Sequence, residues 1–270
     1  MPPVARITRC VLTVVAYLCV SSGCGSLPPE RDAGAEPLRL AAASDLQEAL
    51  PRIVERFRAT HPGEIEVSFG ASGQLAQQIR AGAPLDLFLS ANLGFVGDLA
   101  EQGIIDAASV RPYAVGSLVI VQPESSPIAV TSITDLTRAD LRHVAIANPE
   151  LAPYGIAARQ ALQAAGIWDG AQPRIVMADT VRQALQFVQS GNADAGIVGR
   201  AISRVGGLKG VAVDSSLHAP IVQGLGVLAA SSQRDRARAF ASYLLGAEAQ
   251  GILTEYGFMS PPGQQQQGRP

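Results

Sequence analysis

From Leu38 onward, short apolar runs alternate with longer stretches in which apolar residues return every three or four positions. "LRLAAAS" gives way to "DLQEALPRIVERFRATHP", where Leu46, Leu50, Ile53, Val54 and Phe57 fall on one helical face. The same change of period separates "IEVSFGAS" from "GQLAQQIRAG", "LDLFLSA" from "LGFVGDLAEQG", "HVAIANP" from "GIAARQALQAAG" and "RIVMAD" from "VRQALQFVQSG". "DAGIVG" and "VAVD" are further strand-like runs. Strands followed one by one by helices predict an α/β fold with its sheet covered on both faces. Two apolar runs, "SLVIVQ" (117–122) and "IVQGLGVLAA" (221–230), have no helix directly attached and suit strands that pass between two lobes. The stretch "ARAFASYLLGAEAQGILTEYG" predicts a closing helix with Phe240, Tyr243, Leu244 and Ala247 on one stripe.

Composition adds bounds to this picture. The chain has 270 residues, 47% of them hydrophobic, which suffices for one large domain or two lobes of about 100 residues each. A net charge of −2 leaves no basic surface for nucleic acid. The N-terminus carries Arg6 and Arg9 and then "CVLTVVAYLCV", an apolar core too short to span a membrane as a helix. Residues 1–23 therefore predict a signal peptide and residues 24–36 a Pro-, charge- and Ala-rich linker. Gly23-Cys24 after the apolar core resembles a bacterial lipobox, which would attach lipid to Cys24; Ser21 departs from its preferred Leu, Val or Ile. The other reading is an ordinary cleaved secretion signal, and both export the protein. The three cysteines are Cys10, Cys19 and Cys24, so a disulfide framework and a thiolate metal site are excluded downstream. The tail "PPGQQQQGRP" (261–270) is expected to be disordered.

Four strand-to-helix junctions share one character: Ser44 in "AAASDLQ", Ser72 in "GASGQL", Tyr154-Gly155 in "APYGIA" and Thr180-Val181 in "ADTVRQ". Each leaves backbone N–H groups unpaired at a helix start, where the macrodipole is positive. In open α/β sheets such junctions lie at the carboxyl ends of strands, where ligands bind. Several of them facing one cleft make an anion site from neutral dipoles. Taken singly, each junction reads first as a plain N-cap contributing about 1 kcal/mol, ahead of ligand binding. Asp45, adverse to an anion, is expected to face solvent or to support the first helical turn.

Enzyme readings find less support. "GASGQ" approaches the G-x-S-x-G nucleophile elbow but ends in Gln74. His61, His143 and His218 lack zinc spacing, and no glycine-rich phosphate loop follows a strand. Asp86 opens a strand and is read as structural.

Read together, "LAAASDLQEAL", "SFGASGQLAQQIRAGAPLDLFLSAN", "ANPELAPYGIAARQAL", "DTVRQALQFVQSGNADAGIV" and the final "YGF" resemble the molybdate-binding proteins that serve ABC importers. The resemblance runs from about Leu38 to Phe258. It implies a type II periplasmic binding protein, with two α/β lobes joined by two crossover strands and the ligand cleft between them. The lobes would comprise 37–114 with 219–260, and 115–218. It also implies a periplasmic or cell-envelope receptor that is not an enzyme, has no cofactor, acts as a monomer and passes molybdate or tungstate to an ABC permease. The oxyanion would be held by the hydroxyls and amides of Ser44 and Ser72 and by the backbone N–H groups of Tyr154 and Val181. Molybdenum would be bound only as molybdate, through these residues. One position departs: many members carry Tyr where this chain has Gly199. A lost donor to a charged ligand costs about 1.5–3 kcal/mol unless another group replaces it. A receptor for sulfate or another tetrahedral oxyanion is the alternative. The same fold also serves transcription regulators, which would carry a helix-turn-helix where this chain has a leader. A hydrolase would need a triad around Ser72.

Overall fold

The computed structural model of the protein describes residues 36–261, so the leader, Cys24, the linker before residue 36 and the tail from 262 lie outside the described residues. In chain order the first part holds β1 (Leu38–Ala43), α1 (Leu50–Arg58), β2 (Ile65–Gly70), α2 (Ser72–Arg80), β3 (Leu87–Ser90), α3 (Leu93–Glu101) and β4 (Arg111–Gly116). Next come β5 (Leu118–Pro123), β6 (Val144–Ala147), α4 (Pro153–Ala164), α5 (Trp168–Ala171), β7 (Ile175–Ala178), α6 (Val181–Gln189), β8 (Ala195–Gly199) and β9 (Leu208–Ala212). The chain ends with β10 (Ile221–Val227), α7 (Arg234–Leu244) and α8 (Ala247–Glu255).

Among these residues the strands form two five-stranded sheets of matching layout, β2-β1-β3-β10-β4 and β7-β6-β8-β5-β9. In each, three parallel strands are followed by one antiparallel strand and an antiparallel edge. The central strands β3, β6 and β8 are buried along their whole length, as their unbroken apolar runs require once helices cover both faces. The edge strand β2 alternates, with Glu66 and Ser68 exposed. On α1 the period of three to four places Leu50, Ile53 and Phe57 inward.

The chain leaves the first sheet at Gly116 and enters the second at Leu118, then returns through residues 213–220. Thus β5 and β10 each lie within one sheet, and the crossings occur at their starts. Because β4 and β10 are neighbours, the two crossings run side by side. The predicted closing helix is two helices: Gly246 has an extended backbone, and its N–H donates to the Tyr243 carbonyl at the break. Asp86 ties the first sheet together, accepting from the Arg39 amide at 2.7 Å and the Ser231 hydroxyl at 2.6 Å.

The first sheet is packed by α1, α7 and α8 around Leu40, Phe57 and Phe240. The apolar cluster of the second sheet, with Val144, Ile146 and Leu162, does not stop at its own lobe. It takes in Ala43, Ala71 and Ala91 of the first.

Candidate functional site

The carboxyl ends of β1, β2, β6 and β7 meet where the two sheets face each other. Three contacts hold them there. The Gly73 N–H, in the first turn of α2, donates to the Leu151 carbonyl just before α4 at 2.8 Å. Arg182, in the first turn of α6, reaches Glu48 beyond β1 at 2.6 Å. The Tyr154 hydroxyl, in the first turn of α4, donates to Asp45 Oδ2 at 2.8 Å. Gly73 has to be glycine here, because a Cβ would stand 2.8 Å from the Leu151 oxygen.

Ser44, Ser72, Tyr154 and Val181 are all buried at this meeting point. Neither serine caps a helix. Ala43 and Ala71 occupy the cap positions, and each serine is the first residue inside its helical turn. Ser72 Oγ accepts from the Ala91 N–H at 2.9 Å, which leaves its own proton to be donated. Thr180 does cap α6, accepting from the Gln183 N–H at 3.1 Å, and sets Val181 behind it as the first helical residue. Among the described residues the N–H groups of Ser72, Tyr154 and Val181 have no backbone acceptor. Helix starts require this, since their first amides have no carbonyl four residues back. The arrangement therefore presents neutral donors at the positive ends of α2, α4 and α6. Among the described residues no three His, Cys, Asp or Glu side chains gather to hold a metal ion.

Asp45 overturns the sequence-based expectation. It faces neither solvent nor its own helical turn alone: it is 1% exposed, and Oδ2 accepts from both the Tyr154 hydroxyl and Gln223 Nε2. Gln223 in turn accepts from the Tyr113 hydroxyl at 2.5 Å. Burial pushes the Asp45 carboxyl up from 3.8 to about 6, against the opposing pull of the Tyr154 and Gln223 hydrogen bonds and, less, of the Asp45 and Leu46 backbone N–H groups. Its other oxygen, Oδ1, is buried with no hydrogen-bond partner among the described residues. The Tyr113 and Tyr154 phenols are pushed well above their ordinary range, first by burial and then by the Asp45 charge.

Tyr154 also accounts for Gly199. A Cβ at Gly199 would lie 2.9 Å from Tyr154 Cε1 and 3.1 Å from Cζ, and a Cβ at Gly116 would meet the Tyr154 oxygen. The ring is wedged between the two glycines. Space beside position 199 is thus filled by a phenol from α4, and that phenol is committed to Asp45. The network could have been suspected from one signal, a glutamine inside the apolar run "IVQGLGVLAA".

The chain matches the family model described as bacterial extracellular solute-binding protein over residues 38–259. It is 34% identical to the molybdate-binding protein ModA of Rhodobacter capsulatus over 223 residues, covering 82% of this chain and 87% of that one. It is 31% identical to the putative ABC transporter substrate-binding lipoprotein YvgL of Bacillus subtilis, covering 92% and 96%. The solved periplasmic molybdate-binding protein of Azotobacter vinelandii superposes with a TM-score of 0.77 at 31% identity, covering 83% of this chain and 99% of that one. With its two α/β lobes, side-by-side crossings and facing helix starts, this chain has the type II periplasmic binding-protein fold and belongs to the bacterial extracellular solute-binding proteins, a family that is not enzymatic.

Proposed function

We propose that the protein captures molybdate or tungstate between its lobes and delivers it to an ABC permease. Ser44 and Ser72 donate through hydroxyl and amide, and Tyr154 and Val181 through backbone N–H. The observation that carries this reading is the convergence of three helix starts, with unpaired amides and the free Ser72 proton, on one buried place. A buried dianion needs many hydrogen bonds, and a receptor must still release it. Fixed neutral dipoles meet both demands, because they compensate the charge without an opposite charge to trap it. The lobes hinge at the paired crossings to admit and release the ion. The protein works as a monomer at the outer face of the membrane, held there by lipid on Cys24. Its relatives' printed names, a molybdate-binding protein and a putative ABC transporter substrate-binding lipoprotein, support the ligand, the transporter and the lipid anchor.

The test is a thermal-shift comparison with molybdate, tungstate, sulfate and phosphate added separately. A ligand at about 1,000 times its dissociation constant stabilises the native state by roughly 4 kcal/mol. At about 2–4 °C per kcal/mol for this size, the melting point rises on the order of 10 °C. A shift with molybdate and tungstate alone upholds the reading. A shift with sulfate or phosphate instead changes the ligand, and no shift with any of the four refutes oxyanion capture.

A further inference from the structure

The Asp45–Tyr154 pair joins elements that hinge opening must separate. Tyr154 stands on α4 of the second lobe, whereas Asp45, Gln223 and Tyr113 belong to the first. Opening draws the phenol away and admits water to a carboxyl that is fully buried when closed. Closing reverses this and seals an acid beside Ser44, in a place that also receives an anion. Two charges of one sign then share a dry site, and one of them can be discharged by a proton.

We infer that Asp45 and Tyr154 form a proton-linked latch between the lobes: closing over the oxyanion takes up a proton on Asp45, so the ligand is held more tightly as the medium becomes more acidic. The inference rests on the oxyanion-binding reading given above. The geometry that carries it is the single-sided satisfaction of Asp45, with two donors on Oδ2 and none on Oδ1 among the described residues. An ionised carboxylate wants donors on both oxygens; Oδ1, which no donor occupies, is where a proton can stand, and a neutral acid costs much less to bury than a charge.

The hydrogen-bond partners of Asp45 are all uncharged, the Asp45 and Leu46 backbone N–H groups included. From α4 comes the Tyr154 phenol, from β10 the neutral Gln223 and from β4 the Tyr113 phenol. The turn that carries Asp45 also packs on α6 and on the turn Arg200–Ile202. From α6, Arg182 is engaged by Glu48, and the stem of Arg200 lies against Gly257. With 3.8 for the solvated acid of the open form and about 6 for the closed one, linkage gives about fourfold tighter binding at pH 5.5 than at pH 8.

The experiment measures the dissociation constant of dilute molybdate, a monomeric dianion throughout, from about pH 8 down to about pH 5.5. It uses the wild-type protein, Asp45→Asn and Tyr154→Phe. Expected are an about fourfold tightening for wild type and a flat profile for Asp45→Asn. Tyr154→Phe removes a hydrogen bond that favours the ionised acid, so its profile moves to higher pH; a merely structural role would weaken binding equally at every pH. A flat wild-type profile, or an unchanged slope in Asp45→Asn, overturns the latch. Amide exchange at Gly73, whose N–H crosses to Leu151, reports closure without any ligand. If molybdate fails to bind at all, the functional reading falls, and the latch is judged by exchange. Protection in wild type that rises relative to Asp45→Asn as pH falls upholds it, and a constant ratio refutes it.

Discussion

Gly199→Ala adds one methyl group at a place where the backbone asks for no glycine. Its φ of −72° and ψ of 137° are ordinary extended values that any residue adopts. Removing a glycine there should stabilise by about 0.4–1 kcal/mol through the unfolded chain. What opposes the change is space. The new carbon would stand 2.9 Å from Tyr154 Cε1, against a ring that cannot retreat: Gly116 backs it, and its hydroxyl is held by Asp45 at 2.8 Å. Inserting a carbon into such packing costs about 1–3 kcal/mol. The net loss should be about 1–2 kcal/mol, a melting point lower by roughly 2–8 °C. Calorimetry on Gly199→Ala, Tyr154→Ala and the double variant isolates the cause. Tyr154→Ala is itself costly, about 3–5 kcal/mol by analogy with other large-to-small changes in cores. In its background the added methyl enters emptied space, so the same substitution becomes neutral or slightly stabilising. The coupling between the two positions should therefore be about 1–3 kcal/mol. A Gly199→Ala variant as stable as wild type, or one equally costly in both backgrounds, would show that the ring does not occupy that space.

Other expectations follow from the same geometry. Ser72→Ala should weaken molybdate binding by about 1.5–3 kcal/mol, as for a lost bond to a charged group, and also strand the Ala91 amide. Isothermal titration reads the first effect, and unchanged affinity there and in Ser44→Ala would remove both serines from the site. Glu48→Gln should loosen the half-buried pair with Arg182 by about 1 kcal/mol or less, seen as faster molybdate release with little change in melting point. For the closed form, in which Asp45 is buried, the raised value also predicts how unfolding depends on pH. Stability from this residue is complete below 3.8 and is lost as pH rises through about 6, a change of about 3 kcal/mol. Denaturant titration of wild type against Asp45→Asn at about pH 4 and 7 isolates it, and a constant difference between the two proteins would contradict it.

The strand-to-helix junctions were legible because a change of hydrophobic period is a local signal, and Ser44, Ser72, Tyr154 and Val181 each sit on one. Local patterning could not place Asp45. Its partners lie 109 and 178 residues away: the facing of the two lobes brings Tyr154 onto it, and the strand order β1-β3-β10 of the first sheet brings Gln223. The same applies to Gly199, which reads as a missing donor until the ring from α4 is seen beside it. The break between α7 and α8 was missed because Tyr243, Leu244 and Ala247 keep a helical stripe across Gly246, so periodicity alone ran through the turn.

The alanines of the first lobe that complete the second lobe's apolar cluster have a calorimetric consequence. Ala43, Ala71 and Ala91 pack into the second lobe's cluster, so opening the lobes breaks that packing and wets apolar surface on both sides. Capture of a small, wholly polar ion should then carry the heat-capacity decrease of apolar burial, a signature belonging to the protein's own surfaces and not to the ligand.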